Sequence, residues 1–111
     1  MWIFSQHGFF SAVRDGGRVS VRARVKVDLE NLNGLLADLG EPSSEIVELP
    51  GRDYPYRVYL TPDVFSRVVL LMSQRVSYSN FKDHVKKVAG AARAKLYSQV
   101  WGVMYGAENK V

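Results

Sequence analysis

Residues 18–27 carry the feature that most narrows the fold: an unbroken alternation of polar and small apolar side chains. Successive strand residues point to opposite faces, so Val19, Val21, Ala23, Val25 and Val27 form one apolar face. Arg18, Ser20, Arg22, Arg24 and Lys26 form the other, which is almost wholly basic. A sheet built on such a strand packs one side against a core and turns the other toward water or an anion. Asp15, Gly16 and Gly17 stand directly before it, and glycine accepts the positive φ that a tight hairpin demands. The aromatic and β-branched runs at 1–5 and 9–14, separated by His7 and Gly8, therefore read as two preceding short strands.

Helical spacing takes over at Leu29, Leu32, Leu35, Leu36 and Leu39, with Asp28 read as the N-cap and Gly40 as the stop. Ile46, Val47 and Leu49 make a short strand, a turn follows at 50–53, and residues 56–60 make another strand, with Pro55 at its start. Thr61, Pro62 and Asp63 supply a capping hydroxyl, a proline preset for the first helical position and an acid at the positive end of the helix dipole. The helix they open, about 62–75, is apolar at Val64, Phe65, Val68, Val69, Leu70, Leu71 and Met72, a stripe wider than one core face needs. Such a helix is either sandwiched centrally or packed on a second copy through Leu70 and Met72. Asn80 caps a last helical stretch at about 81–105, with one stripe through Phe81, Val85, Val88, Ala92, Leu96, Val100 and Val103. Tyr97, Trp101 and Tyr105 form a neighbouring stripe, and Gly90 is the point where the helix bends or breaks.

The order of strands, helix, two strands and two helical stretches predicts an α+β fold. It has a mainly antiparallel sheet of about five strands, helices packed on one face, and ferredoxin-like character. If the helix between the third and fourth strands is a crossover, those two strands pair in parallel. At 111 residues the chain fits one domain over 1–106, followed by a frayed tail at 107–111.

With these pieces in place, the chain resembles a family of small uncharacterised bacterial proteins. The resemblance is carried by Trp2-Ile3-Phe4, Gly8-Phe9-Phe10-Ser11 and Arg22-Ala23-Arg24. It continues through Asp53-Tyr54-Pro55-Tyr56-Arg57, Tyr78-Ser79-Asn80-Phe81-Lys82, and Tyr97 with Trp101. It implies a stand-alone domain and brings no activity with it.

Chemistry has few residues to work with. The chain has no cysteine, which excludes disulfides, thiol catalysis and thiolate metal sites. His7 and His84 lack a partner at helical ligand spacing and no acidic cluster accompanies them, so no metal and no cofactor is expected. A triad could be assembled from Ser5 or Ser11 with His7 and Asp15, but no nucleophile-elbow glycine pattern accompanies it. Gly16 and Gly17 lie between strands rather than before a helix, so they form no phosphate-cradling loop. The longest apolar run, 68–72, is far short of the roughly 20 residues that span a bilayer, and the N-terminus lacks a secretory pattern. A cytoplasmic protein with no membrane partner is the expectation.

Charge is more informative. Net charge is +4, but residues 1–60 hold seven Lys and Arg against eight Asp and Glu, whereas 61–111 hold eight against three. Alternate residues of a strand repeat at about 6.6–6.8 Å, close to the phosphate spacing of a nucleic-acid strand. Arg57 and Tyr59 share a face of a neighbouring strand, and Phe9 or Phe10 joins them. Cations interleaved with rings on an open sheet suit single-stranded nucleic acid, where charge holds phosphates and rings stack bases. The leading expectation is therefore a non-enzymatic binding module for nucleic acid or another anionic macromolecule, using Arg18, Arg22, Arg24, Lys26, Arg57 and Tyr59. Lys82, Lys86 and Arg93 are read as a secondary basic face on the last helix. The alternative is a protein-interaction module or homodimer using helix 64–72 and the aromatic stripe of Tyr97, Trp101 and Tyr105.

Overall fold

The computed structural model describes residues 1–111 and divides into two compact units, Met1–Ser77 and Tyr78–Val111. The first is α+β. Its strands are β1 (Trp2–Ser5), β2 (Gly8–Asp15), β3 (Arg18–Ala23), β4 (Val47–Glu48) and β5 (Tyr56–Leu60), and its helices are α1 (Lys26–Asp38) and α2 (Pro62–Gln74). The five strands form one antiparallel sheet in the order β1-β2-β3-β5-β4. The first three are a meander whose second turn is Gly16-Gly17, with Gly16 at φ +62°.

Strand parity separates the two faces of the sheet. Phe10, Ala12, Val19, Val21, Ala23, Val58 and Leu60 face inward and are buried with Leu29, Leu32, Leu35 and Leu36 of α1 and Val68 and Met72 of α2. The four leucines are each at most 1% exposed, and each contributes about 1.5–3 kcal/mol by leaving water. Helix α2 starts as its sequence dictates: the Thr61 hydroxyl accepts from the Val64 amide at 3.2 Å, with Pro62 in the first turn. Both helices pack on the same side of the sheet.

Three expectations are corrected here. The alternating strand does not run to Val27. It ends at Ala23, and Lys26 already opens α1, leaving Val25 and Val27 43% and 50% exposed. Period two at 23–27 is overruled because the leucine stripe of α1 recruits the preceding turn into the helix. Asp28 is not the N-cap, which is Val25. Its carboxylate instead reaches the β1–β2 hairpin, accepting from the Phe9 amide at 3.0 Å, and Asp28 is 2% exposed. Finally, β3 and β4 run in the same direction but do not pair, because β5 lies between them and is antiparallel to both.

The second unit contains α3 (Phe81–Ala89), α4 (Ala91–Tyr105) and a closing 3₁₀ turn, Gly106–Asn109. The Asn80 side chain caps α3 by accepting from the Asp83 amide at 3.0 Å. Gly90, at φ +96°, ends one helix and begins the next. This break resets the helical phase, so the single long stripe through 81–103 does not exist. Val85, Ala94 and Tyr97 are buried, whereas Val88, Leu96 and Val103 are exposed. No helix of either unit is long and apolar enough to cross a membrane.

Candidate functional site

The sheet face opposite α1 and α2 carries Trp2 and Phe4 from β1, Phe9, Ser11 and Val13 from β2, Arg18, Ser20 and Arg22 from β3, and Arg57 and Tyr59 from β5. The pairings Trp2 with Ser11, Ser11 with Arg22, and Arg22 with Arg57 align four of these side chains in one row across the sheet. The choice between Phe9 and Phe10 is settled by parity: Phe10 is fully buried under the helices, and Phe9 lies on the opposite face.

Rings and guanidinium groups interleave along this face. Phe9 stacks on Phe4 at 4.4 Å between centroids, receives Trp2 edge-on at 5.9 Å, and lies 6.2 Å from Tyr54. Arg22 covers the Tyr54 ring at 4.6 Å, and Arg18 covers the Tyr59 ring at 3.6 Å. Trp2 is 68% exposed. Sequence reading missed Trp2 and Tyr54 as members of this surface. The two-residue offset of Trp2 and Phe4 was a usable signal once the hairpin was drawn, but nothing local marks Tyr54, a turn residue delivered by the β4–β5 connection.

The central feature is the Arg22–Arg57 pair, set directly opposite each other on adjacent antiparallel strands. Like charges in that relation destabilise a sheet. The two guanidinium groups are each held by neutral acceptors. Arg22 donates to the Ser11 hydroxyl at 2.7 Å and to the Ser11 carbonyl at 3.4 Å, while Arg57 donates to the Tyr54 carbonyl at 3.2 Å. Neither forms an ion pair with a carboxylate, unlike Arg18, Lys26, Arg67 and Arg75. The Arg57 Nε and the Ser20 hydroxyl are buried without a hydrogen-bond partner. A half-buried double cation held by neutral acceptors, with donor capacity unused, is suited to an anion.

The remaining predicted cations are placed differently. Arg18 bridges to Asp15 at 3.4 Å, an exposed hairpin pair. Arg24 lies beyond the end of β3 and donates to the Arg52 and Asp53 carbonyls, pinning the turn that carries Tyr54. Lys26 is on α1, not on the strand, and pairs with Glu48 at 2.9 Å. The Glu48 hydrogen bond and charge hold the Lys26 ammonium above the usual lysine range.

The secondary basic face is also rearranged. Lys82 and Lys86 belong to α3 but Arg93 to α4, so no single helix presents the three. The Lys82 ammonium sits 4.5 Å over the Trp101 ring, and Arg93 donates to the Tyr97 hydroxyl at 3.3 Å. Of the candidate interface residues, Met72 and Tyr97 are 8% and 4% exposed. Leu70, Trp101 and Tyr105 are at the surface. The imidazole of His84 stacks on Tyr78 at 4.4 Å, while the backbone carbonyl of His7 accepts from the Asn31 side chain at 2.9 Å. No three His, Asp or Glu side chains come together as a metal-binding group.

No family model matches the chain, and neither a curated protein nor a solved structure shows significant similarity to it.

Proposed function

We propose that the face of the sheet opposite α1 and α2 binds single-stranded nucleic acid, with Arg22 and Arg57 holding phosphates and Trp2, Phe9 and Tyr54 offering stacking surfaces. The observation that carries this reading is the carboxylate-free arginine pair in register across β3 and β5, bordered by rings. Each stacked base contributes about 1–3 kcal/mol, and every base has a π-face, so the surface tolerates different sequences. Rings available for stacking favour splayed single strands over a duplex, whose bases face inward. Arg18 contributes through its Tyr59 contact only when its bridge to Asp15 opens. Lys26 stays with Glu48 and takes no part.

Fluorescence anisotropy with labelled mixed-sequence oligonucleotides at low salt tests the proposal. For single strands the logarithm of the binding constant falls with the logarithm of salt concentration by about 0.7 per phosphate contact. Arg22→Gln and Arg57→Gln should each weaken binding and flatten that slope by about 0.7. Wild-type protein that shows no anisotropy change at micromolar concentration, or variants with the wild-type salt slope, refute it.

A further inference from the structure

The unit Tyr78–Val111 has its own asymmetry. It holds six Lys and Arg against two Asp and Glu, so the whole net charge of +4 lies in its 34 residues, and the first unit is neutral with nine of each. The end of α4 is at the same time apolar: Trp101, Val103, Met104 and Tyr105 are 55%, 78%, 63% and 70% exposed. At about 100° per residue these four side chains are distributed around the helix, and the one remaining position, 102, is glycine. Tyr97, one turn earlier on the Trp101 side, stacks on Phe81 and is buried, whereas Trp101 is exposed.

We propose that this end of α4 seats in the interfacial layer of an anionic lipid surface. A groove on a protein, or a second copy of the helix, covers one side and leaves the rest wet; acyl chains and headgroups surround a helix end completely. A second copy also brings +4 against +4. The charge has the placement that lipid binding needs: Lys82 lies 4.5 Å from the Trp101 ring, and Lys86 and Lys87 follow one turn further along α3, about 6 Å away along its axis. Apolar faces of surface-seated helices sink roughly 5–10 Å, which sets these lysines at headgroup level while tryptophan and tyrosine occupy the boundary they favour. The expectation of no membrane partner rested on the length of apolar runs, which decides spanning and not surface seating.

The chain has two tryptophans, so Trp2→Phe leaves Trp101 as a sole reporter. Its emission should shift to the blue on phosphatidylcholine vesicles containing phosphatidylglycerol and stay unchanged on phosphatidylcholine alone. Lys82→Gln, Lys86→Gln and Lys87→Gln together should weaken vesicle partitioning roughly a hundredfold, at about fivefold per lysine near an anionic surface. These lysines are outside the buried set, so the urea midpoint serves as a control for intact folding. No shift at millimolar anionic lipid overturns the proposal, as does an equal shift on neutral vesicles. A shift that grows with protein concentration in the absence of lipid assigns the surface to a second copy, and a shift only with an acidic peptide assigns it to a protein; either overturns it.

Discussion

Replacing Gly8 by alanine should be the most damaging single-methyl change in the protein. Gly8 sits at φ +144°, and a Cβ there falls 2.4 Å from the Asp28 Cγ, 2.6 Å from its Oδ1 and 2.7 Å from its Cβ. Asp28 cannot swing aside without cost, because its carboxylate holds the Phe9 amide at 3.0 Å and the residue is 2% exposed. A backbone conformation nearly closed to side-chain-bearing residues costs about 1–3 kcal/mol, and forcing an atom into filled space costs about as much again. We expect a loss of roughly 4 kcal/mol, against a total stability of about 5–15 kcal/mol for a domain. Equilibrium urea denaturation followed by circular dichroism measures it. With a slope of about 1–2 kcal/mol/M for a unit of this size, the midpoint should fall by roughly 2–4 M. Gly34→Ala is the matched control: Gly34 lies in α1 with open space where its Cβ would go, so alanine should stabilise by about 0.5–1 kcal/mol. A Gly8→Ala protein within about 1 kcal/mol of wild type would refute the reasoning that Asp28 locks the hairpin from below.

Other outcomes follow from the same geometry. Thr61→Ala removes the acceptor for the Val64 amide and should cost about 1 kcal/mol in urea unfolding. Asp28→Ala leaves the Phe9 amide without its charged acceptor and should cost about 1.5–3 kcal/mol, with loss of near-ultraviolet dichroism from the Phe4–Phe9 stack. Lys26 is raised by Glu48, so any stability it contributes is fully present at neutral pH and is lost as pH climbs through its folded value, above the ordinary lysine range. Stability should therefore be flat in this respect from neutral to mildly alkaline pH, and Glu48→Gln should lower the Lys26 pKa in an NMR titration. An oligonucleotide present at a hundredfold its dissociation constant should stabilise wild-type protein by about 2.7 kcal/mol and leave Arg22→Gln/Arg57→Gln unmoved.

What could be read along the chain was local. The Gly16-Gly17 turn, the Thr61 cap and the Asn80 cap were legible because each depends on a few neighbouring residues. The end of β3 was not, since Val25 and Val27 continue a strand period while the leucines that claim them for α1 lie further on. The face of the sheet was half legible. Alternation placed Arg18 and Arg22 together, but the facing of Arg22 with Arg57 is set by β5 entering beside β3, 35 residues away in the chain. No periodicity reports such a pairing, and none reports that the 50–54 turn brings Tyr54 beneath Arg22. Gly90 was recognised as a breaking point, yet the consequence, that Ala94 and Tyr97 are buried while Leu96 and Val103 are exposed, depends on helix phase after the break.

The most direct test of the nucleic-acid reading uses the other tryptophan. In Trp101→Phe protein, Trp2 is the only indole, 68% exposed at the edge of the ring cluster. Stacking of a base on it should quench its fluorescence as poly(U) or poly(dT) is added, with the quenching reversed by salt and lost in Arg22→Gln/Arg57→Gln. Trp2 emission that stays constant at saturating polynucleotide, or quenching that ignores salt and both arginines, contradicts the account.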